Sequence, residues 1–266
     1  MPLVEPNLLK RLVRRLKEVH VGKHDLFDDT RRTLLRLGSA ITFAIAIWPR
    51  GAFAQASSGG KLRIGVIGSG HIGGTIGGLW VKAGHPVLFS SRHPEELKGL
   101  VGGLGSLRTV TQAIAFGDAL FVAVPYKALP QLGEEHGAAL KSKIVLDACN
   151  AVAARDGPIA EEVEQNGIGI TSQKYLPGTR LVRAFNTMNY MIFAREANRP
   201  DPKLAIPIAG DNPEALRIAE GLVRDAGFEP VVVGKLADAR RFQRGGPGYG
   251  QQVSAAELKQ KLSLAP

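Results

Sequence analysis

The chain has 266 residues, 44% of them hydrophobic, with a formal charge of +10, enough apolar material for one α/β domain or for a domain with a small lobe. Its single cysteine, Cys149, excludes an internal disulfide. The basic balance is not arranged as a Lys/Arg stripe interleaved with aromatics, which argues against a nucleic-acid partner.

In chain order, Leu8 to Val19 could form an amphipathic helix, and Thr30 to Arg36 then reads TRRTLLR, a twin-arginine pattern. The apolar stretch Gly38 to Trp48 and the triplet Ala52, Phe53, Ala54 follow. Twin arginines, apolar run and AxA in that order predict a Tat-type signal peptide over 1–54, cleaved after Ala54, with the Tat translocon as a transient partner and a periplasmic or otherwise exported destination. The apolar run is shorter than the roughly 20 residues that a membrane-spanning helix needs, so no stable anchor is expected after cleavage. Cleavage removes ten Lys and Arg and five Asp and Glu, taking the formal charge from +10 to +5. Residues 55–60 form a short linker.

Residues 61–92, KLRIGVIGSGHIGGTIGGLWVKAGHPVLFSSR, read as strand, glycine turn, helix and second strand. Lys61 to Ile67 runs straight into Gly68, Ser69, Gly70, His71, Ile72 and Gly73, a GxGxxG in its required context. In a dinucleotide-binding unit Gly68 permits the sharp turn, Gly70 lets the backbone touch a pyrophosphate, and Gly73 lets helix and strand approach. Ile72, Ile76, Leu79, Trp80 and Ala83 share one helical face, and Gly84 closes the helix. At the end of the second strand an NAD site would carry an acid, whereas Ser90, Ser91, Arg92 and His93 stand here. Hydroxyl and guanidinium groups suit a 2′-phosphate, so NADP(H) is the expected cofactor.

Further on, Pro94 to Leu100 is a short helix, Val101 to Ser106 a loop, Thr109 to Phe116 a helix and Ala119 to Val124 a strand. A helix begins near Tyr126 with Pro130 in its first turn, and Lys143 to Leu146 is the next strand. The loops Val124, Pro125, Tyr126 and Asp147 to Asn150 therefore leave the carboxyl ends of parallel strands, where ligands bind, which makes Val124, Pro125 and Asn150 candidate contacts. Proline also ends strands for no chemical reason, and asparagine is a common turn residue. Glu161 to Asn166 ends a helix at Gly167; Leu181 to Phe185, Leu204 to Ala209 and Pro230 to Val233 are strands. Asn212 caps a helix that starts with Pro213 and closes at Gly227. Arg240 to Gly250, RRFQRGGPGYG, is a loop, and Ser254 with Glu257 caps a terminal helix to Leu262.

This alternation predicts an α/β fold: a Rossmann, doubly wound, mainly parallel sheet, with an NADP-binding domain over 61–180 and a compact C-terminal extension over 181–266 that completes the sheet and acceptor pocket. No paired carboxylates, His/Ser/Asp grouping or metal-ligand spacing stands out, so neither catalytic acid–base residues nor metal ligands are assigned. His71, His85, His93 and His136 read as surface or turn residues, Cys149 as packing and Lys174 as a solvated charge.

Taken together, IGVIGSGHIGG, FSSR, LFVAVPY, KIVLDACN, RAFNTM and IAGDNPEAL resemble the NADP oxidoreductases that use coenzyme F420, and their relatives in the STEAP-type metalloreductases. The resemblance runs from Lys61 to about Leu262. It implies that Gly68 to Ile72 hold the pyrophosphate, Ser91 and Arg92 the 2′-phosphate, and Val124 and Pro125 the nicotinamide ribose side. Asn186, with Met188 of the same motif, would lie near hydride transfer. The implied activity is hydride movement between NADPH and a flavin, deazaflavin or small carbonyl acceptor, a reaction that needs placement more than acid–base residues. Export is unexpected for such an enzyme, although the Tat route carries proteins already folded and loaded. A non-catalytic NADP-binding carrier, sensor or subunit of a redox assembly is the alternative, and a 3-hydroxyacid dehydrogenase or imine reductase a third reading, disfavoured by strands in the C-terminal part. Homo-oligomerisation stays open.

Overall fold

The computed structural model describes residues 60–91 and 108–265. The leader expected over 1–54, the helix expected at 94–100, the loop at 101–106, Arg92 and His93 lie outside the described residues.

Seven strands form one sheet in the order β2-β1-β3-β4-β5-β6-β7. They are β1 Ile64–Ile67, β2 Val87–Ser90, β3 Ala119–Val122, β4 Ile144–Asp147, β5 Arg180–Arg183, β6 Ala205–Gly210 and β7 Glu229–Gly234. Every residue of β1, β3 and β4 is buried, because helices cover both faces; this is why these strands read as unbroken apolar runs and not as alternating ones. All neighbouring pairs are parallel except β5 and β6, which are antiparallel through Val182 opposite Gly210 and Arg183 opposite Ala209. The sheet is thus mainly parallel and doubly wound, and residues beyond 180 extend it without a break.

The described helices are α1 His71–Lys82, α2 Val110–Phe116, α3 Leu129–Leu140, α4 Ala153–Asp156, α5 Ile159–Asn166, α6 Ile168–Tyr175, α7 Tyr190–Glu196, α8 Pro213–Asp225 and α9 Ala255–Lys261. Tyr126–Ala128 and Leu236–Phe242 are 3-10 turns. On one face of the sheet Trp80, Phe121, Phe185, Phe193 and Phe228 meet edge to face, with centroids 5.1 to 6.1 Å apart. Each such pair adds about 0.5–1.5 kcal/mol beyond the burial of area. Trp80 also donates its indole N–H to the carbonyl of Leu222 at 2.7 Å, tying α1 to α8. Tyr126, Leu129, Val145, Leu181, Leu236, Phe242 and Leu258 fill the opposite face.

Several elements differ from the sequence expectation. Strand β5 ends at Arg183 and not at Phe185, because Phe185 takes φ +57° and breaks the extended run. Helices α6 and α7 were not expected. Gly167 at φ +84° closes α5 and opens α6 with no connecting loop, so no turn signal separates them. The expected loop from Arg240 begins inside a 3-10 turn that reaches Phe242, whose ring is fully buried. His85 is a core residue and not a surface one: its Nε2 lies 2.8 Å from Asp225 and its Nδ1 2.9 Å from the Leu62 carbonyl. The caps at Asn212 and Ser254 stand as expected.

Candidate functional site

The strand order reverses at β1, with β2 on one side and β3 on the other, so the crevice lies at the carboxyl ends of β1 and β3. Each glycine of the turn is explained by what a Cβ would meet. At Gly68, φ +93°, it would lie 2.5 Å from the Ala123 carbonyl; at Gly73 it would drive into the Gly68 carbonyl. At Gly70 it would meet nothing within 4 Å. The first and third glycines are therefore required by packing within the protein, while the second opens onto unfilled space, as close approach of a ligand to the backbone demands. Gly70 is also the N-cap of α1 and supplies no side-chain cap, which leaves the first-turn N–H groups facing the crevice. The Ser90 carbonyl accepts from the N–H of Gly68 at 3.1 Å, the N–H of Ser69 at 3.2 Å and the Ser69 hydroxyl at 2.8 Å, and this fixes the turn against β2.

A cavity of about 310 Å³ opens beside this turn, lined by Gly68, Ser69, Gly70 and Ser91, by Val124 and Pro125 from the β3 end, and by residues of α2 and α3. The structure thus brings together six predicted residues from three strand ends. It adds Val110, Ala128 and Leu132 as an apolar wall, and Gln131, Glu135 and His136 as a polar strip on α3. Of these only His136 was named in the sequence, and not as a contact, although Gln131 and Glu135 carry the i, i+4 spacing that lets them hydrogen-bond at 2.7 Å. His136 is a half-buried helix residue and not a turn residue. The described part of the rim has a size and mixed lining that suit a nucleoside.

The rest of the crevice is built from the ends of β4 and β5. Asn150 donates its side-chain N–H to the Asn186 carbonyl at 2.5 Å, and Asn186 donates to the Phe242 carbonyl at 3.3 Å. Beneath them Asp147 and Arg183 form an ion pair with no exposed surface on either side chain. Asp147 accepts the Cys149 N–H at 2.8 Å and Arg183 donates to the Cys149 carbonyl at 2.5 Å, so the turn carrying Asn150 is held by two buried charges. The Asn186 Oδ1 and the Thr187 hydroxyl are buried without a protein partner. Such groups rarely stay unsatisfied.

Met188 is not brought to this crevice; it is buried in the cluster with Phe185 and Phe193. Ile72 likewise packs against that cluster, and its part in the turn is through backbone. His71 is exposed and stacks on Tyr190, centroids 4.3 Å apart, joining the start of α1 to the start of α7. Burial, reinforced by Asp147, pushes the Cys149 thiol well above its ordinary value, which makes it a packing residue and not a nucleophile. Among the described residues no group of three or more His, Cys, Asp or Glu could hold a metal.

Comparison with known proteins bears on this geometry. Residues 63–151, which hold the glycine turn, the β3 end and Asn150, match the family described as NADP oxidoreductase, coenzyme F420-dependent. Over that third of the chain the sequence is similar to that family. Over 188 residues, 68% of its length, it is 28% identical to metalloreductase STEAP3 of Rattus norvegicus, of which the match covers 36%. The chain therefore spans about a third of that relative. Among solved structures, protein SMa0349 of Sinorhizobium meliloti superposes with a TM-score of 0.62 at 24% identity, covering 73% of this chain and 96% of that one. A protein from Arthrobacter sp. FB24, provisionally described as an F420-dependent NADP-reductase, gives 0.57 at 20% identity, covering 68% and 88%. These two establish the Rossmann-like α/β fold. The segment matched by that family model contains the whole described lining of the first cavity.

Proposed function

We propose that this chain is an NADP(H)-dependent oxidoreductase that moves hydride between NADPH and a flavin-type, deazaflavin or small carbonyl acceptor. The observation that carries the reading is the contrast at the glycine turn: Gly68 and Gly73 answer to the protein's own packing, while Gly70 answers only to a group outside it. A diphosphate at the N-terminus of α1 fits that gap in shape and charge. Ser91 and Arg92 supply the 2′-phosphate side, and Asn186 with Thr187 the carboxamide side. The nicotinamide supplies the hydride when bound; the chain's residues bind it, orient it and hold the Asn150 turn in place.

The reading is tested by titrating full-length protein with NADPH and NADH, then following NADPH oxidation with flavin, deazaflavin, ferric and carbonyl acceptors. NADPH should bind more tightly than NADH, and Arg92→Asp should weaken NADPH by about tenfold or more while sparing NADH, since one lost charge-assisted contact is worth about 1.5–3 kcal/mol. Unchanged NADPH affinity in that variant would remove the 2′-phosphate assignment. Binding without turnover on any acceptor would convert the protein from an enzyme to a carrier.

A further inference from the structure

Strand β7 is the last in the sheet, so one row of its backbone groups has no neighbouring strand among the described residues. Which groups those are follows from one bond. Glu229 donates its N–H to the Leu204 carbonyl at 3.0 Å, toward β6, and successive residues of a strand alternate in direction. The N–H and C=O of Val232 and the C=O of Pro230 therefore point away from β6.

An open edge of this kind is a template for another strand, and sheets usually blunt it with charge or cover it. Here the middle of the edge is uncharged. Val231 and Val233 pack into the core with Leu236, Leu258 and Leu262, whereas Val232 is 42% exposed. Of the large apolar side chains left exposed among the described residues, it alone lies on a strand. Charge stands only at the two ends, Glu229 before the valines and Lys235 after them, and neither has an ion-pair partner among the described residues.

This spacing makes the edge complementary to itself. When two copies of the strand run antiparallel about a two-fold axis at Val232, Glu229 of each lies opposite the partner's Lys235, and no like charges face one another. Pro230 selects that register. With the axis at Val232, each Val232 N–H meets the partner's Val232 carbonyl. Moving the axis to Val231 would set each Val232 carbonyl against the missing N–H of the partner's Pro230 and would slide Glu229 off Lys235.

We propose that the β7 edge is the docking surface for a second copy of this chain, which joins two seven-stranded sheets into one through an antiparallel pair centred on Val232. Residues directly opposite in such a pair share a face, with Cα atoms about 5.5 Å apart, so the two exposed valines cover each other. The crevice at β1 and β3 is separated from this edge by β4, β5 and β6, and it stays open in both copies.

Sedimentation velocity of the full chain over a range of concentrations tests this, with Glu229→Lys, Glu229→Lys combined with Lys235→Glu, and Val232→Cys as variants. The parent should sediment as a dimer. Glu229→Lys sets like charges together at both ends and should weaken dimerisation about tenfold, and adding Lys235→Glu should restore it to within about threefold. A misfolded chain would not be repaired by a second reversal. Val232→Cys should cross-link two copies on mild oxidation, since a Cα separation of about 5.5 Å is within disulfide reach. Met191→Cys, exposed on α7, should not, and the chain's own Cys149 is buried. A parent that is monomeric at every concentration, as when residues 1–59 cover the edge, overturns the proposal. So does a dimer indifferent to Glu229→Lys, or a Val232→Cys variant that cross-links no better than Met191→Cys.

Discussion

Asp147 and Arg183 stand opposite one another in the β4–β5 register, fully buried, and between them they hold both backbone groups of Cys149. Two charges withdrawn from water in the centre of a sheet are a poor route to stability. Their position explains them better: the pair fixes the turn from which Asn150 reaches the Asn186 carbonyl.

Removing one partner should therefore be severe and removing both should be informative. Arg183→Met is expected to lose about 3–5 kcal/mol, since it strands a buried carboxylate, while Asp147→Leu with Arg183→Met should recover much of that loss. NADPH affinity should remain weakened in the double variant, because Cys149 still lacks its two fixing bonds. Urea denaturation beside nucleotide titration separates the two effects; full recovery of both would make the pair purely structural.

Two of the turn glycines give opposite expectations for the same substitution. Gly70→Ala adds a methyl where nothing lies within 4 Å, at a φ of −68° that alanine adopts freely, so Tm should hardly move while NADPH affinity falls about tenfold or more. Gly73→Ala drives its Cβ into the Gly68 carbonyl and should destabilise the fold itself. Thermal unfolding with and without NADPH checks both.

These positions mark what could be read from the chain. The glycine spacing and the caps at Asn212 and Ser254 are local signals, with partners within a few residues, and they were legible, whereas the ends of β3 and β5 fell two residues short of where the apolar runs stop. His85 was not, because the carboxylate that makes it a core residue, Asp225, lies 140 residues further on. Nor was the cavity wall at Gln131, Glu135 and His136, whose meaning depends on α3 packing beside the turn. Helices α6 and α7 carry little apolar periodicity, although Asn189, which caps α7, offered a signal.

Asp156 should make stability depend on acid. Burial alone would raise its pKa, but hydrogen bonds from Arg155 and from the N–H groups of Val152 and Lys127 outweigh that and hold the carboxyl below its ordinary range. A folded-state pKa below the unfolded one stabilises above the unfolded value, about 3.9, and the gain is lost as pH falls through the folded value. Asp156→Asn should accordingly be less stable by about 1–3 kcal/mol at neutral pH, with the gap to the parent closing below about pH 4. Parallel melts from neutral to acid pH test this; a gap constant across that range would reject it.

Trp80 links the first βαβ unit to the C-terminal part, through its indole bond to Leu222 and its ring contacts with Phe121 and Phe185. Trp80→Phe keeps an aromatic ring but removes the indole donor to the Leu222 carbonyl, which still accepts the Ala226 N–H at 3.1 Å, and takes volume from a site with no exposure. The expected loss is about 1–3 kcal/mol, which lowers Tm by about 2–4 °C for each kcal/mol in a chain of this size. If the segment beyond 180 were an independent unit, calorimetry of the variant would show two transitions; one transition shifted downward is expected, since the sheet and this bond bind both parts into one cooperative fold.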